Sequence, residues 1–192
     1  MKKSLTLLFA IIVVVFFPSC SSYKKYTLTS LEGSLTPITC TIEIPKNYSL
    51  EKWDDCPYSL PWQKYYRIYP IDKLNYSDSL VQLIIECKTE DLLNIDIEEL
   101  KQANPTVSDL KSEIISQGNI ISSEDMLSNG FNAFSIHYKR DDFLDAQFIE
   151  FFVSNNKQTD NDYFGVLIWG IYKDDEEKEQ ILSLINSLKI LE

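Results

Sequence analysis

The run Tyr163–Tyr172, YFGVLIWGIY, constrains this chain most, because it is apolar at nearly every position. Successive side chains of a strand point to opposite faces, so a half-exposed strand alternates apolar and polar residues. A run with no polar face has to be covered on both, and this one predicts a central strand.

The other strands read more conventionally. In Pro37–Ile44, Ile38, Cys40, Ile42 and Ile44 share a face against Thr39, Thr41 and Glu43, and Pro45-Lys46-Asn47 ends the strand. Gln63–Tyr69 sets Tyr65, Arg67 and Tyr69 against Tyr66 and Ile68, and Leu80–Lys88 aligns Val81, Leu83, Ile85 and Cys87. Ile120–Leu127 and Phe131–Arg140 are joined through Ser128-Asn129-Gly130, and Asn-Gly is a strong tight-hairpin signal. Phe143–Val153 continues the meander toward the central strand. Two stretches change period. Asn94–Gln117 spaces Ile97, Leu100, Val107, Leu110, Ile114 and Ile115 helically around Pro105 and stops at Gly118-Asn119. Asp174-Asp175-Glu176-Glu177 loads negative charge onto the start of a final helix, which runs to about Leu188 and buries Ile181, Leu184, Ile185 and Leu188.

Between the first two strands, Tyr48–Pro61 reads as a loop rich in aromatics, with Trp53 and Tyr58 inside it and Trp62 next to it. Two readings stay open for it. Either the rings fold down onto the domain, or Trp53, Tyr58 and Trp62 form an exposed lip that contacts a partner.

The N-terminus supplies an address. Lys2 and Lys3 precede Leu5–Phe17, a thirteen-residue apolar run broken only by Thr6, and Ser19 places a small residue before Cys20. The run is short for a membrane-spanning helix, which needs about 20 apolar residues. The segment resembles a Bacteroidota-type bacterial lipoprotein signal, although Phe17 and Pro18 depart from the usual Leu and small residue. The resemblance implies cleavage before Cys20 and acylation of that cysteine, palmitate included, which would tie the chain to a lipid bilayer. Residues 1–19 would be the signal peptide, 20–36 a lipidated polar tether and 37–192 the folded domain. Surface-exported lipoproteins of this type tend to carry acids just after the cysteine. Lys24-Lys25 departs from that habit, which favours a periplasm-facing location and leaves surface exposure open.

Charge and cysteine count narrow the function. The chain carries a net −11, and removal of Lys2 and Lys3 with the signal would make it −13. Such a domain repels phosphate backbones, so nucleic acid is not an expected partner. Read over the whole chain, the charge also provides no basic patch for anionic headgroups, and attachment is expected to come from the lipid. After Cys20, three cysteines remain: Cys40, Cys56 and Cys87. Three readings are open for them: buried inert thiols, a Cys40–Cys87 disulfide, or a reactive Cys56.

No constellation for catalysis stands out. His137, the chain's one histidine, has no Gly-x-Ser-x-Gly elbow to work with and reads as a surface or rim residue. The acid clusters Asp141, Asp142, Asp145 and Asp160, Asp162 lack the spacing of a calcium loop and read as solvated turns. No metal and no cofactor is expected.

The order of elements is strand, aromatic loop, two strands, helix, antiparallel meander, final helix. It resembles the Mog1/PsbP-type α-β-α sandwich across roughly Pro37–Glu192, including the opening strand followed by IPKNYSL. The resemblance implies an α+β single domain, mostly antiparallel sheet flanked by helices, of a fold used for binding and assembly. The reading is therefore a membrane-anchored, non-catalytic lipoprotein of the cell envelope that binds another envelope protein. An envelope hydrolase with a site formed only by folding, and a small-ligand or metal carrier, are the alternatives.

Overall fold

The computed structural model describes residues 22–57, 60–61, 63–71, 81–87, 111–112, 115–116, 119–141, 145–154 and 165–191. Cys20, Tyr58 and Trp62, and nearly all of the helical stretch expected over 94–117, lie outside the described residues.

Ten strands and helix α1 (Asp175–Ser187) are described, and residues 111–112 and 115–116 are also helical. The strands are β1 (Tyr23–Thr29), β2 (Thr39–Pro45), β3 (Tyr48–Lys52), β4 (Gln63–Pro70), β5 (Val81–Glu86), β6 (Asn119–Ser128), β7 (Phe131–Lys139), β8 (Gln147–Ser154), β9 (Gly165–Tyr172) and β10 (Lys189–Leu191). Every pairing is antiparallel, in a seven-stranded sheet ordered β3-β4-β5-β9-β8-β7-β6 and a three-stranded sheet ordered β1-β2-β10.

β9 occupies the middle of the large sheet, as its two apolar faces require. Val166, Ile168 and Tyr172 point into the main core. Leu167, Trp169 and Ile171 point the other way, against Phe134, Ile136, Tyr138, Phe148 and Phe152. Phe134, Phe148 and Phe152 are at most 1% exposed, whereas Leu167, Trp169 and Ile171 are half-buried, so the second face is partly covered. The β6–β7 turn is a two-residue loop with Asn129 at φ 53° and Gly130 at φ 84°. Positive φ at both positions is the signature of a type I′ hairpin, and it locks the register Ser128↔Phe131.

The main core joins the large sheet to the small sheet and α1. Cys40, Ile42 and Ile44 of β2 and Ile181, Leu184 and Ile185 of α1 belong to one buried cluster with Leu83, Ile85 and Ile168. α1 lies close on β9, and Gly170 is what allows it. A Cβ there would stand 2.9 Å from two atoms of the fully buried Ile181. The helix start is capped in both directions. Asp174 accepts a hydrogen bond from the Glu177 N–H at 2.9 Å, and the Glu177 carboxylate accepts from the Lys173 N–H at 2.8 Å.

This architecture corrects the α+β expectation. Strands make up about 60% of the described residues, and the layers are two antiparallel sheets, so the fold is a β-sandwich. The physical reason lies in strands that the sequence pattern hides. Tyr23–Thr29, inside the stretch read as a tether, pairs with β2 along its whole length. Lys189–Leu191, just past the final helix, pairs with the other edge of β2. Together they draw β2 out of the large sheet and build a second one beside α1. Tyr48–Lys52, expected as loop, is an edge strand of the large sheet. Among the described residues, paired strand structure is therefore present from Tyr23 onward.

Candidate functional site

The β3–β4 connection sets an aromatic and cationic group on the surface of the large sheet. The Trp53 N–H donates to the Tyr65 carbonyl at 2.9 Å, extending the β3–β4 ladder one residue beyond β3. This brings the Trp53 indole over the β4 face that carries Tyr65, Arg67 and Tyr69. Its ring meets the Tyr65 ring edge-on, centroids 6.4 Å apart at 86°. The Arg67 guanidinium lies 3.4 Å from the Trp53 ring centroid, a close cation–π contact. Trp53 and Arg67 are each half-buried, as is Tyr69, whose hydroxyl donates to the exposed Glu51 carboxylate at 3.4 Å.

Tyr65 also opens a partly buried polar chain. The Tyr65 hydroxyl donates to Gln63 Oε1 at 2.9 Å, and the Gln63 amide donates to the Glu86 carboxylate. Glu86 is 1% exposed, and Cys56 and Ile84 pack alongside. Gln63 also holds the loop, accepting from the Leu60 N–H at 3.0 Å while its own N–H donates to the Leu60 carbonyl at 2.9 Å. Burial, then electrostatic interaction with Cys56 and Glu86, pushes the Tyr65 hydroxyl up to about 12, so it stays a protonated donor at neutral pH. Trp53 and Arg67 are packed against one another and on Tyr65 while both stay partly open to solvent. Tryptophan, tyrosine and arginine are the residues that dominate binding energy at protein interfaces, and preorganised side chains lose little entropy on binding.

Of the sequence candidates at this loop, Trp53 is placed on the surface, against Tyr65 and Arg67. Tyr58 and Trp62 lie outside the described residues. Sequence reading did not connect Arg67 to Trp53, although Arg67 was on the alternating face Tyr65-Arg67-Tyr69. The missing signal was the β3–β4 pairing that brings the two together.

Other candidates are dispersed. Cys40, Cys56 and Cys87 are all buried. Burial pushes the Cys40 thiol up to about 12. The Ser34 hydroxyl donates to Cys87 Sγ at 3.0 Å. His137 is half-buried on β7, and burial together with the Lys178 ammonium lowers its basicity. Asp141 accepts from the Asn119 amide at 3.2 Å. On the same sheet face as Trp169, the Trp169 indole N–H donates to the Tyr138 hydroxyl at 3.3 Å, which donates to Glu150 at 2.5 Å. Among the described residues, no three His, Cys, Asp or Glu side chains converge to hold a metal ion. Among them, too, no helix is long and apolar enough to cross a membrane.

A scan against protein-family models finds no match to this chain, and a search of curated proteins finds no similar protein.

Proposed function

We propose that the chain is an envelope lipoprotein, acylated at Cys20 and facing the periplasm, whose β-sandwich binds another envelope protein through the surface around Trp53. It performs no chemistry of its own. The observation that carries the binding role is the Trp53–Arg67 pair, with the guanidinium 3.4 Å from the indole centroid, Trp53 edge-to-face with Tyr65, and both partly open to solvent. The anchoring role is supported by Leu5–Phe17 and Ser19-Cys20, with β1 beginning at Tyr23 directly beyond them.

The binding role is tested by placing a photo-crosslinking residue at position 53 of the tagged full chain in its own cells. Leu127, 71% exposed on β6 at the opposite edge of the large sheet, is the matched control position. One envelope protein crosslinked from position 53 and not from 127, and lost in Arg67→Ala, is the expected result. Equal or absent crosslinking at both positions would refute a partner at this surface.

A further inference from the structure

The acidic balance of the whole chain conceals a local exception at the end of the small sheet. The described chain opens at Ser22, whose carbonyl accepts from the Lys46 N–H at 2.9 Å. The β1–β2 register then sets Tyr23 beside Pro45, Lys24 beside Ile44 and Lys25 beside Glu43. Lys24, Lys25 and Lys46 are all exposed, and between Ser22 and Leu31 there is no acidic residue. Glu43, opposite Lys25, is the acid on the paired strand, and its backbone N–H is bonded to Ser187 at the end of α1. Tyr23 is 40% exposed, and the Lys24 ammonium lies 4.7 Å from the ring centroid of the half-buried Tyr26.

From these contacts we infer that the end of the small sheet, with Tyr23, Lys24, Lys25 and Lys46 exposed around it, docks on anionic lipid headgroups. The inference rests on the membrane attachment proposed above and adds where the domain sits once attached. Two arguments select this occupant. The first is reach: Ser21 is the one residue between Cys20 and Ser22, and an extended chain spans at most ~3.6 Å per residue. Ser22 is then held within ~7 Å of the Cys20 backbone, so this end of the sandwich meets the membrane surface whatever the rest of the domain does. The second is charge and side-chain type. Lysines near an anionic leaflet are attracted to it, and tyrosines favour the headgroup layer, where the ring is apolar and the hydroxyl wet. An end of the sheet carrying three exposed lysines and the exposed Tyr23 is matched to that layer, and the acidic first turn of α1, Asp175, Glu176 and Glu177, is not part of it.

The test uses the full chain purified from its own membranes and reconstituted into vesicles. One set is phosphatidylcholine alone, and the other contains 30 mol% phosphatidylglycerol. Flotation and the mass of the Cys20 peptide report the attachment. A water-soluble amine-acylating reagent, read by peptide mass spectrometry, reports exposure of each lysine. On the anionic vesicles, labelling of Lys24, Lys25 and Lys46 is expected to fall ~5-fold or more relative to exposed Lys189. That protection should be weaker on phosphatidylcholine and disappear at 1 M salt, where the screening length is ~3 Å. Attached protein whose three lysines label as fast as Lys189 on both vesicles would overturn the docking face and leave the anchor standing. An unacylated chain that still floats on its apolar N-terminus would overturn the lipoprotein reading, and the lysine footprint would still decide the docking face. A chain that does not float would overturn both.

Discussion

Gly170→Ala tests the layer arrangement at its tightest point. The new methyl would stand 2.9 Å from Ile181 Cδ1 and Cγ2 and 3.2 Å from Cγ1. Ordinary carbon contacts lie at ~3.5–4.0 Å, and Ile181 is completely buried, so it has no free space to retreat into. Overpacking of this kind costs about 1–3 kcal/mol, and relief of a glycine inside a strand returns about 0.5–1. At the middle of both ranges the expected net loss is ~1 kcal/mol, or ~2–4 °C in melting temperature for a chain of this length. Ile181→Ala alone removes all three clashing atoms and should cost ~2–5 kcal/mol through the cavity it leaves. In the double variant the methyl added at position 170 partly fills that cavity. Its loss should therefore be smaller than the sum of the two single losses by at least ~0.5 kcal/mol. Thermal melting of the detergent-solubilised chains, followed by tryptophan fluorescence, reads all four corners of the cycle. A Gly170→Ala chain as stable as the parent, or strictly additive losses, would mean that α1 does not rest on β9 at this point.

Two further outcomes follow from the same structure. Asp174→Ala removes the acceptor for the Glu177 N–H and should cost ~0.5–2 kcal/mol, whereas Asp174→Ser should restore most of it in the same melting assay. Stability should also fall in alkali. Burial raises Cys40 from 9.0 to about 12, and Tyr65 and Tyr66 from 10.0 to about 12. The folded state thus favours the neutral forms. Their contribution is complete below pH 9 and is lost as pH rises through about 12, because only the unfolded chain ionises readily in that window. A melting temperature flat between pH 9 and 11.5 would contradict the burial of these three groups.

The elements with strong local signals were legible in the sequence. β9 declares itself by being apolar on both faces, the β6–β7 hairpin by Asn129-Gly130, and α1 by the run of acids from Asp174 to Glu177 at its start. The fold class was not legible, because it depends on which strands choose which partners. In β1, YKKYTLT, only Leu28 is fully buried and Tyr26 partly so, too weak an alternation to separate a strand from a polar linker. β10 has three residues and is a strand only because β2 offers it an edge. With those two strands unseen, β2 looked like a member of the large sheet, and the covering layer was assigned to helices. The candidate surface shows the same division. Trp53 was visible as an aromatic in a loop, and Arg67 as a charge on an alternating face. Their contact depends on the β3–β4 register, which no local pattern carries. The lysines at Tyr23–Pro45 were likewise averaged away within a net charge of −11.

Attachment at Cys20 is the premise on which the envelope role and the docking face both stand. It is read most directly from the mass of the intact protein extracted from membranes and of its N-terminal peptide. The expected species begins at Cys20 and carries acyl chains on that residue, and Cys20→Ala abolishes both the cleavage and the added mass. A membrane-bound species that still begins at Met1, or a released species with an unmodified N-terminus, would contradict it.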